Sequence, residues 1–116
     1  MRSSDPGALA RWYAEHLGIE AMAGNEEAVW WQEAGPTVWA PFPADTDYFG
    51  PGGQGWMMNY RVSDLDRMLE QLRAGGAKVD DRVEVMDGIG RFGWATDPEG
   101  NRFELWEPAP AALQRP

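Results

Sequence analysis

A chain of 116 residues makes one domain with one real core, and 43% hydrophobic with 25% charged residues is the make-up of a soluble globular protein. A formal net charge of −9 excludes nonspecific binding to nucleic acid or anionic membrane, which needs clustered Lys and Arg, and suits a cationic ligand. The lack of Cys excludes disulfides, thiolate catalysis and Cys-ligated zinc. No apolar run approaches the roughly 20 residues of a membrane span, and no basic-then-apolar signal opens the chain, so a cytoplasmic location is the default expectation. Seven Trp are more than so short a chain can readily hide, so some should line a cavity or an interface.

Residues 1–4 are too few for a full strand. Asp5-Pro6 then reads as a helix start, an Asp cap followed by Pro at the first helical position. The helix should run to about Leu17 with Leu9, Trp12, Tyr13 and Leu17 as its apolar stripe, and Gly18 should stop it. His16 in the last turn suits the helix dipole and is expected at the surface. Three short strands are expected next, Ile19–Ala23, Ala28–Gln32 and Thr37–Ala40, with turns at Asn25 and Gly35-Pro36. The Pro-, Gly- and Asp-rich stretch that follows, about 42–55, reads as a linker.

The second half opens on an expected strand Trp56–Val62, ending at Ser63, which can cap a helix begun by Asp64-Leu65-Asp66. Leu65, Met68, Leu69 and Leu72 fall at i, i+3, i+4, i+7, and Gly75-Gly76 ends the helix. Strands are expected over Lys78–Met86, Arg91–Thr96 and Arg102–Trp106. The last two should join through Asp97-Pro98-Glu99-Gly100-Asn101, a tight turn by composition. Alternation puts Phe103 and Leu105 on one face, with Glu104 and Trp106 on the other. A carboxylate there has three open readings: it binds a metal, takes a proton, or stays solvated.

The two halves repeat one pattern, βαβββ, with the first strand of the first copy cut short. Arg2-Ser3-Ser4-Asp5 corresponds to Arg61-Val62-Ser63-Asp64. Gly35 before Thr37-Val38-Trp39 corresponds to Gly100 before Arg102-Phe103-Glu104. The expected class is α+β: two βαβββ modules forming a curved mixed sheet around a cavity. Residues 1–116 form a single domain, with module one at about 1–41, module two at about 56–108 and a tail at 109–116.

The stretches DPGALARWYAEHLGIE, YRVSDLDRMLEQLRAGGA and DPEGNRFELWEP resemble the landmarks of the vicinal oxygen chelate superfamily, which includes glyoxalase I, extradiol dioxygenases and bleomycin-resistance proteins. The resemblance spans essentially the whole chain and speaks for fold more than for activity. It implies that enzymes of the family hold a divalent metal through the first and last strands of each module. The last-strand position of module two is Glu104, a match. The first-strand position of module two falls on Met57 and the last-strand position of module one on Trp39, while the remaining one would precede Met1. Thioether and indole do not serve a hard metal, and swapping identical modules in a homodimer brings the same residues together. Asn59 is a weak substitute ligand if the register shifts by two. No family-type metal and no cofactor are expected.

Alternation on the Met57 strand places Met57, Asn59 and Arg61 on the cavity face, opposite Trp39, Glu104 and Trp106. Met58, Tyr60 and Val62 go under the helix. Trp30, Trp31 and Trp94 receive no face from the pattern. The expected site is a Trp-lined slot for a small aromatic or amphipathic molecule, in which Glu104 meets a donor or cation and Arg61 an anion. One alternative is an enzyme of glyoxalase, lyase or isomerase type with Glu104 as general base or metal ligand. Another is an interaction module whose Trp residues serve dimerisation alone. The cut-short first strand leaves an unpaired edge, which predicts a homodimer unless further residues upstream supply the strand.

Overall fold

The computed structural model describes residues 1–21 and 27–116. Helix α1 is Pro6–Leu17; Asp5 Oδ1 accepts from the Ala8 N–H at 3.1 Å, Pro6 takes the first turn, and Gly18 closes it in the left-handed conformation. Strand β1 is Asn59–Arg61 and helix α2 is Leu65–Ala74. The α2 cap is Asp64 rather than Ser63: its carboxylate accepts from the Arg67 N–H at 3.0 Å, and a carboxylate also answers the helix dipole better than a hydroxyl. Strands β2 (Lys78–Val79), β3 (Glu84–Met86), β4 (Gly90–Thr96) and β5 (Arg102–Pro108) follow, then a short 3-10 turn at Pro110–Leu113.

The fold is α+β. One mixed sheet runs in the order β1-β5-β4-β2, with β3 also on β4. Strand β1 is parallel to β5; the other pairs are antiparallel. The strand expected over Lys78–Met86 is divided in two, because its register against β4 slips across Asp80–Val83. The strand expected over Trp56–Val62 is likewise shorter, although its pairing reaches from the Met58 carbonyl to the Val62 N–H.

Leu65, Leu69 and Leu72 of α2 pack on Ala95, Phe103 and Leu105, with Trp12, Leu17, Tyr60 and Val62 around them. Phe103 and Leu105 thus lie on the helix face, as alternation requires. Gly93 lets the helix come this close, since a Cβ there would meet both Leu69 methyls at 3.1 Å. His16 is half-buried instead of lying free at the surface: its ring stacks on Trp12, and Nδ1–H donates to the Trp12 carbonyl.

The first half departs from its expected pattern. Ala28–Gln32 and Thr37–Ala40 are not strands, and 28–42 form no backbone–backbone hydrogen bond among the described residues. The expected strand Ile19–Ala23 is unformed over residues 19–21; its end and the turn at Asn25 lie outside the described residues. A lone strand without a ladder partner gains nothing to offset its ordering entropy. The radius of gyration, 14.7 Å, exceeds the roughly 13 Å of a compact chain near this length, as an extended arm requires. Among the described residues no helix is long and apolar enough to cross a membrane.

Candidate functional site

Strand β5 places Glu104 at the centre of the sheet face turned away from the helices. Asn59 on β1 and Trp94 on β4 stand directly beside it in register. Side chains opposite one another on neighbouring strands share a face, so the three form one transverse row. The Glu104 side chain meets three donors. The Asn59 amide donates to Oε1, while the Tyr48 hydroxyl and the Trp94 indole N–H, the latter at 3.0 Å, donate to Oε2. Glu104 is only 8% exposed, and no cationic side chain among the described residues forms an ion pair with it. A buried carboxylate satisfied by neutral donors alone is an uncommon arrangement, because burial of charge is ordinarily offset by an opposite charge. Burial, then the hydrogen bond to Glu104 and its charge, push the Tyr48 phenol far above the ordinary tyrosine range, so it stays a donor.

Tyr48 comes from the stretch expected as a linker. That stretch lies against β5: Gln54 donates to the Arg102 carbonyl at 2.7 Å and accepts from its N–H at 2.8 Å. The Arg102 Nε donates to the Tyr48 carbonyl, and its Nη1 reaches both Asp80 oxygens. The register slip at Asp80–Val83 aims Asp80 and Arg82 here; the Arg82 guanidinium lies 4.6 Å above the Trp94 ring. Trp94 is wholly buried beneath these groups.

The residues expected at the site divide. Glu104 and Asn59 are joined. Arg61 and Trp106 form the next row along. Trp106 stacks on Phe92, with centroids 6.0 Å apart, and its indole N–H donates to the Ile89 carbonyl. Gly90 makes room for that indole, because a Cβ there would collide with it and with the Glu107 carbonyl. Arg61 donates to the Glu33 carbonyl at 2.8 Å and is packed by Gly35. Met57 is half-buried. Trp39 is 88% exposed and does not stand across from Glu104, because its segment has no ladder partner among the described residues. The expected indole-walled hollow is accordingly closed at Glu104 by Tyr48 and its segment. Two open clefts, of about 310 and 260 Å³, lie instead beside Tyr60 and α1 on the other side.

Two members of the group escaped the sequence reading. Trp94 was recoverable: the turn centred on Glu99 sets Trp94 opposite Glu104 by symmetry. Tyr48 carried a weaker signal, three aromatics (Phe42, Tyr48, Phe49) in a stretch otherwise suited to solvent.

The donor set does not fit a divalent metal of the kind the fold implies. Glu104 is surrounded by O–H and N–H donors rather than by lone pairs, and the described residues hold no cluster of three His, Cys, Asp or Glu able to bind an ion.

The family model described as a glyoxalase-like domain matches residues 1–106. No curated protein matches the chain. Among solved structures it is similar to TnmS3, an antibiotic binding protein from Streptomyces sp. CB03234, at 24% identity over 94% of this chain and 91% of that one, with a TM-score of 0.58. It is also similar to a member of the glyoxalase/bleomycin resistance protein/dioxygenase superfamily from Sphaerobacter thermophilus DSM 20745, at 21% identity over 92% and 91% of the two chains, TM-score 0.55. TioX from Micromonospora sp. ML1 is 17% identical over 94% and 92%, TM-score 0.54. At such identities the likeness is one of fold.

Proposed function

The chain belongs to the glyoxalase-like domain family, and on that premise we propose that it is a small-molecule binder, holding an aromatic or amphipathic guest on the sheet face of Glu104 without a metal. The observation that carries this is a buried carboxylate met, among the described residues, by neutral donors alone. Such an acceptor selects for a guest that brings an N–H, an O–H or a positive charge, while Trp94 and its neighbours supply flat apolar contact. Entry requires the segment 41–55 to lift, since Tyr48 closes the face. The fold neighbour described as an antibiotic binding protein is of the same functional class, and a natural-product guest for this chain is our reading.

A lyase or isomerase role for Glu104 is less supported. Among the described residues no metal-binding cluster and no ion-paired cation accompanies Glu104 to stabilise the oxyanion that such a reaction develops. The test is quenching of Trp fluorescence by a panel of planar aromatic compounds, neutral and cationic, beside titration with Mn, Ni and Zn. Quenching that weakens in Glu104→Gln supports the binder. A stoichiometric, tight metal with no aromatic guest overturns it.

The homodimer is part of the same proposal. Trp31 and Trp39 are each 88% exposed on an arm that makes no backbone–backbone hydrogen bond among the described residues, and a second copy would supply a ladder. Sedimentation of the chain and of Trp39→Asp checks this. A monomer at every concentration contradicts it.

A further inference from the structure

We propose that Tyr48 occupies a subsite for a neutral hydroxyaryl group, so that the guest is a phenol-bearing aromatic which enters by taking the place of the Tyr48 side chain. The inference rests on the binding function argued above and narrows it. Tyr48 is itself a phenol, and every part of it is received. Its hydroxyl donates to Glu104, its ring stands edge-on to Trp94 with centroids 6.2 Å apart, and its face lies parallel to Phe42 at 5.1 Å. Of these partners Glu104 and Trp94 belong to the two central strands and stay when the segment moves.

The hold on Tyr48 is also replaceable. Its segment contains no strand or helix, lies between prolines at 41 and 43 and glycines at 50, 52 and 53 with positive φ, and leaves Phe42 exposed. Once Tyr48 swings out, Glu104 keeps two donors, and the acceptor position that Tyr48 filled on Oε2 opens beside a buried indole. A plain arene placed there leaves that acceptor unsatisfied in a site shielded from water. A cation fares worse than its charge suggests. The Arg82 and Arg102 guanidinium carbons already lie 4.6 and 5.7 Å from the Trp94 ring, so the ring that would receive a cation is already facing two. A neutral ring bearing one hydroxyl satisfies the acceptor and escapes the repulsion.

The experiment is chemical rescue of Tyr48→Ala in the full chain with p-cresol, toluene and benzamidine, followed through the indole N–H resonance of Trp94 and through Tm. The expected result is p-cresol binding at least about tenfold tighter than either other probe, with a partial recovery of Tm. The unaltered chain should bind p-cresol at least about tenfold more weakly than the variant. Toluene matching p-cresol overturns the proposal. Benzamidine binding more tightly, and losing affinity in Glu104→Gln, overturns the hydroxyaryl assignment but leaves the Glu104 face as the binding site. If no probe moves the Trp94 signal, both readings fall. Should Tyr48→Ala not fold, the unaltered chain decides. There p-cresol, and not toluene, should speed chymotrypsin cleavage at Phe42, Tyr48 or Phe49 severalfold, and unchanged cleavage overturns the proposal.

Discussion

The repeat read in the sequence sets Thr37–Ala40 against β5, each shortly after a glycine, yet the two end in opposite environments. Strand β5 has β1 on one side and β4 on the other, and its Phe103 and Leu105 are sealed beneath the helices. Thr37–Ala40 has no ladder partner among the described residues, and its Trp39 faces water. A β-compatible pattern is therefore only an offer of backbone bonds; a strand forms where a neighbour accepts it. Strand pairing is concentrated in the second half, while α1 of the first half packs on that core and the arm at 28–40 makes no ladder bond among the described residues.

This contrast can be tested by what each half loses on substitution. Phe103→Ala should cost about 3–5 kcal/mol in urea unfolding, the price of a vacated core site. Glu104→Gln should cost about 1–3 kcal/mol, because the new amide turns two N–H groups toward donors that need an acceptor. A cost near zero would mean that the Tyr48, Asn59 and Trp94 bonds do not hold the face together.

High pH sharpens the same division, since Tyr13, Tyr48 and Tyr60 all serve the second-half sheet and its α1 cover. Burial is the first cause raising each of the three, and Tyr60 is pushed up to about 12. Unfolded tyrosine ionises near pH 10. Above that pH the unfolded chain sheds protons that the folded chain keeps, so stability falls as pH rises. The tyrosine contribution should be constant below about pH 9 and decline from about 10 to 12, as pH-dependent urea midpoints will show. The smallest effect is reserved for the arm. Trp39→Ala should change unfolding by no more than about 0.5 kcal/mol at dilutions where the chain is monomeric, and by more where copies associate.

Much of this was legible from residues alone. The Asp5-Pro6 helix start, the Leu65–Leu72 stripe and the split of Phe103 and Leu105 from Glu104 and Trp106 follow from local chemistry and period. Strand formation over 28–40 was not legible, because pairing depends on a partner that local pattern does not supply. Tyr48 was hidden for a related reason: its role is set by a contact with Glu104, 56 positions away, which no spacing rule links to it. Trp39, which the repeat sets against Glu104, is 88% exposed where no strand forms.

The central claim is that Glu104 receives the guest. Paired calorimetric titration of the tightest aromatic from the panel into the unaltered chain and into Glu104→Gln tests it most directly. Affinity is expected to weaken about five- to 150-fold in the variant, the equivalent of about 1–3 kcal/mol. Equal affinity in the two proteins would contradict it.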